Sequence, residues 1–213
     1  MYHKEDQSIK RIGIMGGTFN PVHYGHLAAA DEALSGFSLE RIVFMPAGIP
    51  PHKESQDIAS AEDRLLMTVI ATAANDAFEV SRFETEKKTP SYTVETMEYY
   101  ASRYPDAEIF FITGIDAVLE ISTWHEPDGI FKYGKMIATT RPEYPLDDRQ
   151  DIAGYKATRD LVSADAKIFI MKVPGVDISA TEIRSRIRDK RPVRYLLPDR
   201  VFEYIKERKL YIR

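Results

Sequence analysis

Six short runs rich in Ile, Val and Phe recur along the chain, with helical patterns filling most of the space between them. The runs are Arg11–Met15, Arg41–Met45, Phe78–Arg82, Glu108–Thr113, Lys135–Thr140 and Lys167–Val173. Segments this brief and this continuously apolar suit strands buried on both faces, the condition of a parallel sheet. The helices carry their own signals. Gly25–Leu34 follows the first run, Glu62–Asn75 has Ser60 and Asp63 in capping-box spacing at its start, and Thr93–Arg103 is closed by Pro105. Ser179 and Glu182 form a second capping box, ahead of an apolar stripe at Ile183 and Ile187, and a last helix around Asp199–Arg208 follows Pro198. This alternation predicts an α/β fold: an open, mostly parallel sheet, Rossmann-like in layout, with helices on both faces. One domain spanning 1–213 is expected, long enough to bury a core without staples. In such sheets ligands bind beyond the carboxyl ends of the strands, where strand order reverses, so the loops after strands matter most.

Composition removes some chemistries. The chain has no cysteine, which excludes disulfides, thiolate nucleophiles and cysteine-ligated metals. A net charge of −4 argues against a broad nucleic-acid surface while leaving room for a local basic pocket. Residues Met1 to Ser8 hold no apolar stretch, and no later window approaches the roughly 18 apolar residues of a membrane helix. A soluble cytoplasmic protein with no membrane partner is the expectation.

The first run ends in Gly16-Gly17-Thr18-Phe19-Asn20-Pro21-Val22-His23-Tyr24-Gly25-His26 before a helix begins. Paired glycines let a ligand approach the backbone, and a helix start offers free N–H groups and a positive dipole end, both suited to phosphate. The loop is neither a Walker loop, which ends in Gly-Lys-Ser/Thr, nor a Gly-x-Gly-x-x-Gly dinucleotide loop. It supplies two imidazoles instead. His23 and His26 can donate to phosphate oxygens, and they charge more readily beside one. The same pair could cap the helix or pack in the crevice. A zinc site is a third reading, needing further ligands from His3, His52 or His125.

Near the other end, Ile178-Ser179-Ala180-Thr181-Glu182-Ile183-Arg184 places a capping Ser179 before a helix, with Thr181 in its first turn. Arg184 lies one turn on, so it and Thr181 can face one ligand. A guanidinium is a rigid fork matched to phosphate. The plainer alternative is a capped surface helix with Arg184, Arg186, Arg188 and Arg191 in solvent.

Together the two motifs resemble the signature loops of the nucleotidyltransferase superfamily that shares His-x-Gly-His with class I aminoacyl-tRNA synthetases. That family more often has Asp where this chain has Asn20. Three internal segments extend the likeness, over nearly the whole chain, to the bacterial-type nicotinate-nucleotide adenylyltransferases. Pro46-Ala47-Gly48-Ile49-Pro50-Pro51-His52-Lys53 is a loop stiffened by its prolines, where Lys53 could meet an anionic substrate. Lys88-Thr89-Pro90-Ser91-Tyr92-Thr93 leads into a helix, with three hydroxyls and main-chain N–H groups suited to a carboxylate. Phe111-Ile112-Thr113-Gly114-Ile115-Asp116 ends the fourth run, and Trp124-His125 follows it. Trp124 could stack on a flat pyridine ring or simply pack in the core.

The resemblance implies His23, His26 and Arg184 as catalytic residues. For ATP it implies Gly16, Gly17, Thr18, Phe19, Gly114, Asp116, Arg141, Ile178, Ser179 and Thr181, although Arg141-Pro142 is followed by Glu143 where the family commonly has Gly. For the acceptor it implies Lys53, Ser91, Tyr92, Thr93, Trp124 and His125. No protein-held metal is expected; Mg²⁺ would ride on the ATP phosphates. The implied reaction transfers the adenylyl group of ATP to nicotinate mononucleotide, giving deamido-NAD and pyrophosphate in NAD biosynthesis. A preference for nicotinamide mononucleotide is the near alternative. Phosphopantetheine adenylyltransferase shares both terminal motifs, but the segments at Lys88–Thr93 and Trp124-His125 stand against it and against a cytidylyltransferase. A class I synthetase would need a second signature loop and an anticodon-binding region. From another class, a non-catalytic nucleotide sensor could keep the fold, against which His23, His26 and Arg184 speak. No nucleic-acid partner is expected, and a homo-oligomer is compatible with the sequence.

Overall fold

The computed structural model describes residues 9–49, 58–140, 151–158, 166–174 and 178–212. Its elements run β1 (Arg11–Gly17), α1 (Tyr24–Gly36), β2 (Arg41–Pro46), α2 (Ala61–Thr72), β3 (Phe78–Val80), α3 (Thr93–Arg103) and β4 (Glu108–Gly114). There follow α4 (Ile115–Leu119), α5 (Pro127–Tyr133), β5 (Lys135–Thr140), β6 (Asp151–Ile152), β7 (Tyr155–Thr158), β8 (Ile168–Lys172), α6 (Ala180–Arg188) and α7 (Asp199–Glu207).

One sheet has the order β3-β2-β1-β4-β5-β8-β7-β6. Its neighbours from β3 to β7 pair in parallel. Among the described strands only β6 is antiparallel, joined to β7 through Ala153 (φ 51°) and Gly154 (φ 86°). Two successive left-handed residues make the tight hairpin turn whose twist suits the strands on either side.

The apolar runs are continuous because both sheet faces are covered. Along β2, Ile42 and Phe44 enter one core and Val43 and Met45 the other; β4 divides the same way, Phe110 and Ile112 against Ile109 and Phe111. The first core takes Ala29, Ala30 and Ala33 of α1, Met67 of α2, Ile183 of α6, and Val201 and Ile205 of α7. The second takes Val94, Met97 and Tyr100 of α3, Ile115 and Val118 of α4, and Ile130 and Phe131 of α5. Right-handed crossovers explain the division. Winding outward from β1 to β3 puts α1 and α2 on one face, and winding the opposite way from β4 to β5 puts its helices on the other. Truncating a side chain such as Ile112, fully buried at the sheet's centre, would cost about 2–5 kcal/mol.

The reversal of winding falls between β1 and β4, so the crevice beyond their carboxyl ends lies between the loops after Gly17 and Gly114. The expected strands are present, the third and sixth shorter than expected, and α3 spans Thr93–Arg103 as read. The elements α4, α5, β6 and β7 were not expected. Among the described residues no helix is long and apolar enough to cross a membrane.

Candidate active site

β1 stops at Gly17 and the chain turns through Phe19 (φ 48°) and a cis Asn20-Pro21 bond into α1. The half-buried glycine pair also serves packing within the protein. A side chain on Gly16 would collide with the Phe111 ring, and one on Gly17 would press on the ring of Phe19. The missing side chains make room for aromatic rings of the protein itself. Phe19, 2% exposed, then meets His26 edge-on at 5.0 Å.

His23 is the N-cap residue of α1, so the capping reading of this pair holds in part. Its backbone N–H donates to Nδ1 of His26 at 3.2 Å, and the two rings lie 3.7 Å apart at 32°. An imidazole that accepts at Nδ1 carries its proton on Nε2. His26 is thereby held as a donor. Among the described residues no group of three or more His, Cys, Asp or Glu gathers to hold a metal ion, so the zinc reading finds no ligand set there.

The C-terminal motif meets this loop. Arg184 donates from Nη1 to the Asn20 carbonyl at 2.9 Å and from Nη2 to Thr181 Oγ1 at 3.4 Å, and its buried Nε has no partner among the described residues. Ser179 caps α6 by accepting the Glu182 N–H at 3.1 Å. The Glu182 carboxylate does not close the second half of the expected box; it accepts from Arg186 at 2.8 Å instead. Gly25 lets the motifs touch. A Cβ there would sit 3.0 Å from His23 Nδ1 and 3.6 Å from the Ile178 carbonyl oxygen. The idea of Arg184 standing in solvent is therefore set aside.

Other candidates gather across the crevice. Gly114 is the N-cap of α4, with the exposed Asp116 folded back over it. Tyr92 is the N-cap residue of α3 and Thr93 its first residue; the Tyr92 ring lies 4.4 Å from that of His125. Trp124, half-buried, packs T-shaped on Phe111 at 6.2 Å, at the edge of the second core. The Ser91 hydroxyl is buried beside Gly48, without a hydrogen-bond partner among the described residues. Lys53 and Arg141 lie outside the described residues, as do His3 and His52.

Several residues that hold these loops were missed in the sequence. Arg64, 1% exposed, donates to the carbonyls of Ala59 (Nε, 3.1 Å), Thr18 (Nη1, 2.8 Å) and Gly48 (Nη2, 2.8 Å). Burial draws its proton affinity down, opposed by nearby Tyr211 and Glu84. Glu84 is buried too; burial raises its pKa, against the Thr96 hydroxyl bonded to it at 2.7 Å and the charges of Lys87 and Arg64. The Asn20 side chain accepts from the Ala59 N–H at 3.0 Å and from the Tyr211 hydroxyl at 2.8 Å. Burial pushes the Tyr211 pKa up despite the neighbouring Arg184 and Arg64, so it remains a donor. The available signal for Arg64 was a charge in line with the apolar face of α2, one turn from Met67 and Thr68.

Comparisons with known proteins place the chain in a family. The cytidylyltransferase-like family model matches residues 14–186. A probable nicotinate-nucleotide adenylyltransferase of Corynebacterium kroppenstedtii is 44% identical over 202 residues, 95% of this chain and 91% of its own. One from Moorella thermoacetica is 43% identical over 202 residues, 94% of this chain and 91% of its own. Among solved structures, Plasmodium falciparum nicotinic acid mononucleotide adenylyltransferase complexed with NaAD is similar at a TM-score of 0.74 and 18% identity, over 95% of this chain and 97% of that one. That last likeness speaks for the fold alone.

Proposed function

Because the chain belongs to the cytidylyltransferase-like family and, within it, to the nicotinate-nucleotide adenylyltransferases, we propose that it transfers the adenylyl group of ATP to nicotinate mononucleotide. The products are deamido-NAD and pyrophosphate, in NAD biosynthesis, and one cytoplasmic catalytic domain spanning 1–213 does the work. The observation that carries this reading is the bond from Arg184 Nη1 to the Asn20 carbonyl, which joins two motifs 164 residues apart into one cradle of donors.

In the reaction a phosphate oxygen of the mononucleotide attacks the α-phosphorus of ATP in line. The bond to the β-phosphate oxygen breaks and pyrophosphate leaves. The attacking phosphate is already ionised near neutral pH, so the site needs no general base. Positioning and charge neutralisation supply the rate. His26, held with Nδ1 as acceptor, presents Nε2–H to charge on the leaving side. His23 shares the α- and β-phosphates, and Gly16, Gly17, Thr18 and Phe19 line that pocket. Arg184 grips the pyrophosphate with Ser179, Thr181 and the Ile178 main chain. Gly114, Asp116 and Arg141 hold the adenosine.

Lys53, Ser91, Tyr92, Thr93, Trp124 and His125 take the acceptor. The Ser91 hydroxyl, unpartnered among the described residues, and the first N–H groups of α3 suit a carboxylate, as on the pyridine ring of the acid substrate. The phosphate side is lined with N–H and O–H donors rather than oxygen ligands, which fits Mg²⁺ carried by ATP and water. When bound, it neutralises phosphate charge.

Pyrophosphate release from ATP with nicotinate mononucleotide, nicotinamide mononucleotide or phosphopantetheine tests the assignment. The nicotinate form is expected to be turned over fastest. Release only with phosphopantetheine, or none with any acceptor, would reject it.

A further inference from the structure

The buried guanidinium of Arg64 belongs to no step of the reaction above, yet it touches the two loops that follow β1 and β2. β1 and β2 run in register to Gly17 and Pro46, and the Ala47 N–H closes on the Gly17 carbonyl at 2.9 Å. Arg64 carries that link one residue further on each chain, to the carbonyls of Thr18 and Gly48, each at 2.8 Å. Its third bond, at 3.1 Å, goes to Ala59, whose own N–H donates to the Asn20 side chain. One side chain thus reaches the phosphate-side loop at Thr18, the acceptor-side loop at Gly48, and the point at which the chain re-enters α2.

Such an arrangement is unusual on energetic grounds. A cation 1% exposed loses several kcal/mol of hydration, and an apolar side chain of similar volume often stabilises a fold as well or better. The three hydrogen bonds described go to carbonyls, and none goes to a carboxylate. What the fork adds is geometry: donors in a rigid plane fix the relative positions of the carbonyls they serve. Gly48 has little freedom of its own, because it is packed against the Glu84 carbonyl and the Ser91 hydroxyl. A shift of Gly48 relative to Thr18 would therefore move the acceptor pocket relative to the phosphate pocket. In-line transfer depends on that separation, and a misplacement of about 1 Å can cost about a hundredfold in rate.

We infer that Arg64 is a positioning residue that sets the spacing between the nucleotide and acceptor halves of the site by bracing the Thr18 and Gly48 loops on one guanidinium. It contacts neither substrate. The inference rests on the adenylyl-transfer reading, and turnover of nicotinate mononucleotide by the parent chain separates a failure of that reading from a failure of this one.

The test is Arg64→Lys, which keeps the charge and loses the fork. Turnover is followed at saturating ATP and nicotinate mononucleotide, and each ligand is titrated singly by calorimetry, with a non-hydrolysable analogue for ATP. The expected result is a kcat lower by about tenfold to a hundredfold, with each single-ligand Kd within about threefold of the parent. A folded variant whose kcat stays within about twofold would overturn the inference. So would one whose single-ligand affinities fall as far as kcat, which is the mark of general disorder. Should lysine prevent folding, Arg64→Gln, which still offers two N–H donors, is expected to show the same split. If both variants fail to fold, Arg64 serves the fold alone and the inference is wrong.

Discussion

On the side of the crevice proposed for the triphosphate, hydrogen bonds join residues remote in sequence: Arg184 to the Asn20 carbonyl, Tyr211 to the Asn20 side chain, and Arg64 to Thr18. On the side proposed for the acceptor, rings meet rings, Tyr92 on His125 and Trp124 on Phe111, while His125 stays exposed. The first kind of contact is directional and fixes donors where charge develops. The second tolerates tilts and shifts, so it can shape a pocket around a flat ring without setting the reaction coordinate. In the proposed reaction, chemistry belongs to the braced half and choice of acceptor to the other.

The sharpest way to break this contrast is His26→Ala. It removes the donor held by the His23 N–H, and kcat should fall at least about a hundredfold, about 3–4 kcal/mol in the transition state, while loss of the bond from the His23 N–H lowers the melting temperature by only about 2–4 °C. Near-normal turnover by a folded variant would refute the braced half as the seat of catalysis.

Two alanine substitutions at glycines probe the halves separately. In Gly25→Ala the new Cβ presses on the His23 ring at 3.0 Å, though alanine favours the helix. A drop in kcat of about tenfold without loss of stability is expected. In Gly48→Ala the Cβ meets the Glu84 carbonyl, which is backbone and cannot turn aside. There kcat should fall and the KM for the mononucleotide rise, each about tenfold, while the KM for ATP hardly moves. Equal changes in both KM values would erase the distinction between the halves.

Smaller effects test the brace itself. Tyr211→Phe removes the hydroxyl that Asn20 accepts. A loss of about 1 kcal/mol is expected, seen in thermal melts as a fall of about 2–4 °C. Smallest is a pH effect at Asp63, which accepts from Ser60, Tyr204 and Arg208 and so fastens α2 to α7. Burial alone would raise its pKa, but those hydrogen bonds outweigh it and hold the carboxyl below its usual 3.8. Its contribution to stability is complete above the unfolded value and is lost as pH falls through the lower folded one. The stability gap between the parent and Asp63→Asn should be constant above about pH 5 and close on acidification. A gap that widens there would invert the sign assigned to Asp63.

Much of this was legible along the chain because it is local. A strand buried on both faces must be apolar throughout, so β1, β2, β4 and β5 were readable as runs. Ser60 and Ser179 announced their helices through contacts three residues away. By contrast α4 and α5, at 5 and 7 residues, are too short to display a helical period, and β6 has only 2 residues. Arg64 looked like any helix arginine. Its partners at Thr18 and Gly48 are separated from it by 46 and 16 residues, and nothing in a local window names them.

By itself the sequence determined which groups could meet a phosphate, imidazoles at 23 and 26 and a guanidinium at 184, since residue type and spacing on one turn set donor chemistry. Only the tertiary structure decided that the two motifs meet at the Asn20 carbonyl, that the His26 Nδ1 accepts the His23 N–H, and that glycines 16 and 17 leave room for the rings of Phe111 and Phe19. The reason is that these outcomes depend on how β1 and α6 are brought together by the winding of the sheet, and that is a property of the whole chain's packing rather than of any stretch of it.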